Sequence, residues 1–217
     1  MNKKVFIFFG PPGSGKGTQS DMLAAGLELP VISTGELLRH EQSMGSKLGK
    51  KVASLLKKGA LVPDKLVEEM MNNRIAKKDA KNGFVLDGYP RDAEQLRNLA
   101  GVLQEKKIKK ENVFIILVHV SDREVKKRLG GRRVCDCGAA YHLTYNPPKK
   151  KGICDLCGKK IYIRSDDRPA TMSSRLKLYH KTTEPLLKLG QSMGKLIVIN
   201  GDNGIKKIHQ EIIKKIK

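Results

Sequence analysis

The chain has 217 residues, enough for one α/β domain with insertions that buries well over half of its unfolded surface. Its 43 basic against 22 acidic residues give a formal net charge of +21. The lysines are scattered mostly as pairs, which favours a solvated surface over a nucleic-acid site. Only residues 5–9 are apolar before the first glycine-rich turn, too few for a signal peptide or a membrane span, so we expect a cytoplasmic protein.

A glycine-rich segment, residues 10–18, follows this first apolar stretch and precedes a helical pattern. Glycines let the backbone turn its N–H groups inward, and Lys16 can reach the outer phosphates of a nucleoside triphosphate. The general phosphate-loop motif has Ser or Thr directly after the lysine, whereas Gly17 precedes Thr18 here. The segment therefore predicts a phosphate-binding loop of a variant form.

Five short apolar runs, separated by helical patterns, fit parallel strands that are buried on both faces. They are residues 5–9, 31–33, 84–86, 113–120 and 196–199. Asp64 is the predicted N-cap of one helix, Asp92 precedes a second, and Ser121 opens a third. This alternation predicts a three-layer, doubly wound α/β fold around a five-stranded parallel sheet.

Two stretches interrupt the alternation and are interpreted as insertions. Residues 35–62 contain two helical patterns divided near Gly45, with no strand between them. Residues 131–168 are rich in Gly, Pro, Tyr and Cys, with β-like pieces at 140–143 and 160–163. Long insertions in a compact domain are often covers over a functional site.

Arginines mark the predicted ligand-binding edge of the sheet, because a guanidinium pairs well with phosphate oxygens. Those at strand ends or insertion borders are Arg39, Arg91, Arg128, Arg132, Arg164 and Arg175. Asp87 ends the third apolar run, so its carboxylate reaches the same edge as the phosphate loop. An aspartate in that position holds Mg²⁺ or its waters in nucleotide-binding folds; the alternative is a cap on the turn at Gly88.

These motifs together resemble the adenylate kinase family along essentially the whole chain. The matching segments are residues 15–19 (GKGTQ), 32–39 (ISTGELLR), 59–64 (GALVPD), 83–91 (GFVLDGYPR) with Gln95, 131–133 (GRR) and 164–168 (RSDDR). In that family a glycine separates the lysine and threonine of the phosphate loop, which accounts for Gly17. The resemblance implies the reaction ATP + AMP ⇌ 2 ADP with Mg²⁺ as cofactor.

The resemblance also implies a set of site residues. ATP contacts would come from Gly13, Ser14, Gly15, Lys16, Gly17, Thr18, Arg128, Arg132, Ala140 and Tyr141. AMP contacts would come from Thr34, Arg39, Val62, Gly88, Arg91 and Gln95, with Arg164 and Arg175 bridging the phosphates. The catalytic candidates are Lys16, Asp87, Arg91, Arg132, Arg164 and Arg175, because phosphoryl transfer depends mainly on alignment and charge neutralisation.

All four cysteines, Cys135, Cys137, Cys154 and Cys157, fall within the second insertion. Paired cysteines in a cytoplasmic chain are typical of a structural zinc site, and many bacterial proteins resembling this chain hold zinc there. The first pair is separated by one residue instead of two, so its turn must be reshaped. Four-thiolate zinc is therefore our prediction, with His142 in place of one thiolate, or metal-free thiols, as alternatives.

The resemblance implies a monomer with a helical monophosphate-binding insertion and a small, β-rich, zinc-binding lid. The core would be residues 1–32, 63–130 and 169–217, the monophosphate-binding insertion 33–62, and the lid 131–168. One alternative is a kinase for UMP, CMP or GMP, although Thr34 and Gln95 favour AMP and the lid is long for a pyrimidine enzyme. A zinc-ribbon protein that binds nucleic acid is another, but it leaves the phosphate loop, Asp87 and the arginines unexplained.

Overall fold

A computed structural model describes residues 3–45, 47–58 and 62–216 of the chain. The strands are β1 (Lys4–Phe9), β2 (Val31–Ser33), β3 (Gly83–Asp87), β4 (Val113–His119), β5 (Arg132–Val134), β6 (Ala140–His142) and β7 (Lys195–Asn200). The helices are α1 (Lys16–Leu27), α2 (Thr34–Ser43), α3 (Lys47–Lys58), α4 (Asp64–Ile75), α5 (Ala93–Glu105), α6 (Asp122–Gly131), α7 (Pro169–Leu178), α8 (Leu186–Gly190) and α9 (Ile205–Lys215). A π-helical turn, Tyr179–Thr183, joins α7 to α8. Each helix in these ranges is too short or too polar to cross a membrane.

The predicted five-stranded parallel sheet is confirmed, with strand order β2-β3-β1-β4-β7. Strand β1 lies at its centre, where Phe6 aligns with Val85 of β3 and Phe114 of β4. Successive side chains of β1 point to opposite faces, and each face is covered by helices. This double burial explains why the strands are continuous apolar runs.

The carboxyl ends of β1, β2 and β3 share one edge of the sheet, since the three strands are parallel neighbours. The glycine-rich loop follows β1, helix α2 follows β2, and residues 88–92 follow β3. Ligands of open α/β sheets bind at such an edge. The topology therefore brings the predicted phosphate loop and the predicted acceptor motifs together.

Three helix starts were predicted, and two are confirmed. Asp92 caps α5 by accepting a 3.0 Å hydrogen bond from the Gln95 backbone N–H, and Ser121 caps α6. Asp64 is instead the first residue of α4, with Pro63 at the cap position, so the prediction that Asp64 is the N-cap is wrong. The Asp64 carboxylate is engaged elsewhere, because it accepts a hydrogen bond from the Gln95 side chain.

The first insertion consists of α2 and α3, as predicted, and the division near Gly45 is confirmed. Gly45 has φ = 65°, a left-handed conformation that ends a helix easily because glycine has no Cβ. Residues 59–61, which carry part of the predicted end of this insertion, lie outside the described residues. Val62 follows them and is buried in the core.

The second insertion is built on the two-stranded antiparallel sheet of β5 and β6. The β-like piece predicted at residues 140–143 is confirmed as β6. The piece at 160–163 is not a strand: Lys160 and Tyr162 make single bridges to Ile153 and Val134. Its side chains lie at the surface or half-buried, so little packing extends the pairing.

Candidate functional site

The glycine-rich loop turns sharply between β1 and α1. Gly10 has φ = 149° and Gly13 has φ = 79°, values that favour glycine. A Cβ on Gly10 would lie 2.6 Å from the Val118 carbonyl oxygen, and one on Gly13 would lie 2.8 Å from Leu129. Helix α1 begins at Lys16, so its N-terminal N–H groups and positive dipole end face the loop. The loop therefore has the geometry of an anion-binding site.

The ammonium group of Lys16 folds back over this loop and donates a 3.2 Å hydrogen bond to the Pro11 carbonyl. Burial lowers the pKa of Lys16 to about 8; Asp87 opposes the shift, whereas Arg91 adds to it. A bound phosphate would favour the charged ammonium form. Lys16 is thus held where a phosphate can replace its contact with the loop.

Asp87 ends β3, aligned with Phe8 of β1 and Ser33 of β2. Its Oδ2 lies 3.4 Å from the position that a Cβ on Gly17 would take, so the variant glycine lies against this carboxylate. Its Oδ1 is buried and has no hydrogen-bond partner in the part of the chain that the structure describes. An unpartnered carboxylate oxygen beside a phosphate loop fits Mg²⁺, which prefers oxygen ligands.

One buried carboxylate, that of Asp167, holds two of the predicted arginines. Arg132 donates to it through Nε, 2.6 Å from Oδ2, and through Nη2 to Oδ1. Arg175 donates through Nη1, 2.9 Å from Oδ1, and also pairs with Asp166 at 3.1 Å. The Asp167 side chain is 0% exposed, so the loss of Arg132 would leave the buried Oδ2 without its partner.

The other predicted arginines crowd the same region. Burial lowers the pKa of Arg164 to about 10, and repulsion from Arg132 and Arg39 adds to the shift. Burial lowers the pKa of Arg91 too, with Arg175 as the next cause. Cations that lower each other's pKa are close together, and an anion among them would relieve the repulsion. The arginines therefore form a cationic cluster next to Lys16.

Arg128 is hydrogen-bonded to the glycine-rich loop. It donates to the Ser14 carbonyl at 3.3 Å, to the Gly201 carbonyl at 2.8 Å and to Glu124 Oε1 at 2.9 Å. These bonds connect α6 to the glycine-rich loop and to the end of β7. The structure therefore brings Arg128 to the predicted donor side.

The predicted acceptor residues meet around the Gly88 carbonyl. Thr34 Oγ1 and Arg91 Nε each donate to this oxygen at 2.8 Å. Gln95 accepts from the Arg91 backbone N–H at 2.9 Å. Beside Thr34, the apolar side chains of Leu37, Leu38, Val67, Met70 and Met71 line a shallow, open depression in the surface. Apolar side chains therefore lie beside the polar groups that surround the Gly88 carbonyl.

Two predicted contact residues have side chains engaged elsewhere. Val62 is buried in the main core. Tyr141 is buried in the lid, where its hydroxyl accepts a 2.7 Å hydrogen bond from the Asp155 backbone N–H and lies 3.4 Å from Cys154 Sγ. Any nucleotide contact from these two residues would have to come from the backbone, whereas the neighbouring Ala140 is exposed.

The four cysteines form a single cluster, with all Sγ atoms within 4.8 Å of one another. Cys135 and Cys157 are 3.4 Å apart at sulfur, and Cys137 and Cys154 are 3.5 Å apart. A tetrahedral zinc site with metal–sulfur bonds of about 2.3 Å has sulfur–sulfur edges of about 3.8 Å, so the cluster fits zinc. The one-residue spacing is accommodated by a turn in which the Gly138 N–H donates to the Cys135 carbonyl.

His142, the alternative ligand, is outside the cluster. Its Nε2 lies 3.0 Å from the Arg128 carbonyl, and its Nδ1 accepts from the backbone N–H groups of Thr144 and Tyr145 at 3.0 and 3.1 Å. Both ring nitrogens are therefore occupied, and the four-thiolate arrangement is the one that the structure supports.

Sequence reasoning missed several residues that hold the site. Asp166 and Asp167 were noted only as part of the motif at residues 164–168. Their position between arginines was the one feature of the sequence that could have indicated their role as arginine partners. Thr183 donates to the Arg91 carbonyl at 2.9 Å, and nothing in the sequence indicated this contact. Its partner lies 92 positions earlier in the chain.

The fold and site define a P-loop nucleotide-binding protein, with a phosphate loop at the edge of a parallel sheet and arginines gathered beside it. The family model described as "Adenylate kinase" matches residues 8–195. The chain is 42% identical to the adenylate kinase of Caldicellulosiruptor bescii over 211 residues, 96% of each chain, and 41% identical to that of Methanosarcina barkeri over 206 residues, 95% of each chain. The chain belongs to the adenylate kinase family, as its motifs predicted.

Proposed function

We propose that the protein catalyses the reversible transfer of the terminal phosphoryl group of Mg-ATP to AMP, giving two molecules of ADP. Family membership supports a nucleotide-dependent phosphotransferase. The observation that carries the proposal is the cationic cluster between the two halves of the site. Arg132 and Arg175, fixed by Asp167, lie close enough to Lys16 to affect its pKa.

On the donor side, we assign the triphosphate of ATP to residues 13–18. The N-terminus of α1 and the Lys16 ammonium supply positive charge there, and Arg128 supports the loop through the Ser14 carbonyl. Arg132 would reach the transferred group, and the lid pair Ala140 and Tyr141 would contribute backbone contacts. Mg²⁺, when bound through Asp87 or its waters, would neutralise charge on the phosphate oxygens.

On the acceptor side, we assign AMP to the region between α2 and the segment after β3. Thr34 and Gly88 would face the nucleoside, and Gln95 would read the base. The phosphate would contact Arg39 and Arg91, and Val62 would contribute through its backbone. Arg164 and Arg175 would bridge the phosphates of the two substrates.

The transfer itself needs no general base from the protein, because it depends on alignment and on stabilising charge. Lys16, Arg91, Arg132, Arg164 and Arg175 supply that charge from both sides of the transferred group. Carboxylate and carbonyl oxygens hold the donors of all of these residues except Arg164, whose buried Nε has no hydrogen-bond partner among the described residues. The two insertions would close over the substrates and exclude water that would otherwise hydrolyse ATP.

We propose the division expected from the sequence: core 1–32, 63–130 and 169–217, monophosphate-binding insertion 33–62, and lid 131–168. The separate antiparallel sheet and the cysteine cluster support the lid. Zinc held by Cys135, Cys137, Cys154 and Cys157 would stabilise a lobe with little apolar core. We also propose a cytoplasmic monomer without a nucleic-acid or membrane partner.

The direct test is to incubate the purified protein with Mg-ATP and AMP and to follow all three nucleotides by chromatography. The proposal predicts two ADP formed per ATP consumed. Lys16→Ala and Arg91→Ala should each lower turnover by about two orders of magnitude or more while the circular dichroism spectrum stays unchanged. ATP loss without matching AMP loss would indicate a hydrolase and contradict the proposal.

A further inference from the structure

Gln95 is 2% exposed and hydrogen-bonds two acidic residues, Asp64 through its side chain and Asp92 through its backbone N–H. Its Oε1 accepts from the Arg91 backbone N–H at 2.9 Å, and its Nε2 donates to Asp64 Oδ1 at 2.7 Å. Asp92 accepts from the Gln95 backbone N–H and so anchors the start of α5. Each end of the Gln95 amide therefore has a fixed partner.

The chemistry of these partners allows only one orientation of the amide. A backbone N–H can only donate, so it must face Oε1, and an ionised carboxylate can only accept, so it must face Nε2. Turning the amide over would set donor against donor at Arg91 and acceptor against acceptor at Asp64. Each unsatisfied buried group costs about 1–3 kcal/mol, so the turned orientation is essentially unpopulated.

The fixed amide retains one lone pair on Oε1 and one hydrogen on Nε2 for a ligand. The 6-amino group and N1 of adenine present a donor beside an acceptor, which matches this pair. Hypoxanthine presents a carbonyl oxygen and an N–H at the same two positions, which reverses both roles. A fixed amide can therefore tell these bases apart, whereas an amide free to turn over could serve either.

We propose that Asp64 is a positioning residue that determines acceptor-base specificity by fixing the orientation of the Gln95 amide. The proposal rests on the proposed function, in which Gln95 faces the base of the acceptor nucleotide. Asp64 lies 31 positions before Gln95 and reaches it across the gap between the starts of α4 and α5. It acts through Gln95 and does not touch the substrate.

The test compares AMP with IMP as acceptors for the wild-type protein and for Asp64→Asn. Asparagine has the same shape but can present either a donor or an acceptor, so one of the two constraints on the amide is lost. The ratio of kcat/KM for AMP to kcat/KM for IMP should fall about tenfold, because AMP binds more weakly and IMP binds more tightly. A tenfold change corresponds to about 1.4 kcal/mol. Calorimetric titration with each monophosphate alone should show the same change in Kd, without turnover.

Asp92→Asn is the matched control, because it changes the carboxyl group that neighbours Asp64 but leaves an oxygen to accept from the Gln95 backbone N–H. It should leave the AMP-to-IMP ratio unchanged. A double-mutant cycle isolates the route of action: in a Gln95→Leu background, Asp64→Asn should no longer affect the ratio. If Asp64→Asn fails to fold, Asp64→Ser provides the same test, since a hydroxyl also donates and accepts.

The outcomes separate this proposal from the proposed function. If the wild-type protein does not phosphorylate AMP, the proposed function is wrong. A second outcome is that the wild-type protein prefers AMP to IMP while Asp64→Asn leaves the ratio of the two kcat/KM values unchanged, or lowers both values equally. In that case the role of Asp64 is wrong and the proposed function stands. If Asp92→Asn shifts the AMP-to-IMP ratio equally, the effect belongs to the pair of carboxyl groups and not to the bond between Gln95 Nε2 and Asp64, and the role of Asp64 is wrong.

Discussion

Arg175 Nη1 lies 2.9 Å from Oδ1 of Asp167, and the same oxygen accepts from Nη2 of Arg132. Arg132 belongs to β5 and Arg175 to α7, so the Asp167 carboxylate fixes the distance between two separate elements. Because this carboxylate is buried, the two guanidinium groups are preorganised for an anion rather than free in solvent.

Replacing Asp167 with asparagine should uncouple these two arginines. The variant keeps its shape but loses the charge that holds both guanidinium groups, so ADP formation should fall by about two orders of magnitude, as expected when preorganised donors are lost. The measurement is kcat in a coupled assay. Asp79→Asn is the control: it breaks the Arg74–Asp79 pair at the surface and should leave kcat unchanged. Equal kcat for wild type and Asp167→Asn would contradict the role given to Asp167.

The pKa of Lys16 predicts how ATP binding depends on pH. Burial lowers this pKa from 10.5 to about 8 in the ligand-free protein, and bound phosphates favour the charged form. The Kd for ATP should therefore be flat below pH 8 and rise above it, with proton uptake on binding detectable by calorimetry in two buffers. Lys16→Arg keeps its charge, so its Kd should not show this rise. A wild-type Kd independent of pH up to 9.5 would contradict the assignment.

The lowered pKa of Lys16 also makes the free energy of unfolding depend on pH. Between pH 8 and 10.5 the unfolded chain binds more protons at this position than the folded chain does. The contribution of Lys16 to the free energy of unfolding therefore rises with pH in that window.

Two adjacent glycines at the base of the lid should respond differently to substitution. A Cβ on Gly131 would lie 2.4 Å from the His142 ring, which is held by the Arg128 carbonyl and by two backbone N–H groups. Gly131→Ala should therefore cost about 1–3 kcal/mol of unfolding free energy and raise the KM for ATP.

Gly130→Ala is its matched control, because a Cβ there meets no atom of the described chain within 4 Å. Alanine in α6 should be neutral or stabilising by up to about 1 kcal/mol. Thermal melting and ATP kinetics of both variants test this pair. Equal behaviour of the two would show that the contact with His142 is unimportant.

The cysteine cluster predicts one zinc ion per chain in fully reduced protein. Its removal by a chelator should open residues 131–168 to proteolysis and lower the melting temperature, because the lid core contains little beyond Cys135, Tyr141 and Cys154. Elemental analysis gives the metal content directly. Reduced protein without metal, or a lid that resists proteolysis after chelation, would contradict the prediction.

Local patterns predicted most of the fold. The apolar runs gave all five strands of the main sheet within a few residues, because strands covered on both faces must be apolar throughout. Asp92 and Ser121 were recognisable as caps because a cap acts within three residues. Asp64 is the first helical residue rather than the cap, and its side chain accepts a hydrogen bond from Gln95, 31 residues later.

The sequence displays the candidate site residues but not the residues that hold them in place. Lys16, Asp87 and the arginines stand in motifs that the sequence displays. The contacts of Asp167 with Arg132, and of Thr183 with Arg91, join residues 35 and 92 positions apart, and no local pattern encodes such pairs. The inward direction of the Tyr141 side chain likewise follows from packing on the cysteine cluster, which forms only in the folded lid.

The choice of acceptor nucleotide distinguishes an AMP kinase from a kinase for another monophosphate. ADP formation from Mg-ATP should be measured with AMP, CMP, UMP and GMP in parallel, under identical conditions. We expect AMP to have by far the highest kcat/KM, with two ADP formed per turnover. Preference for any other monophosphate would contradict this expectation.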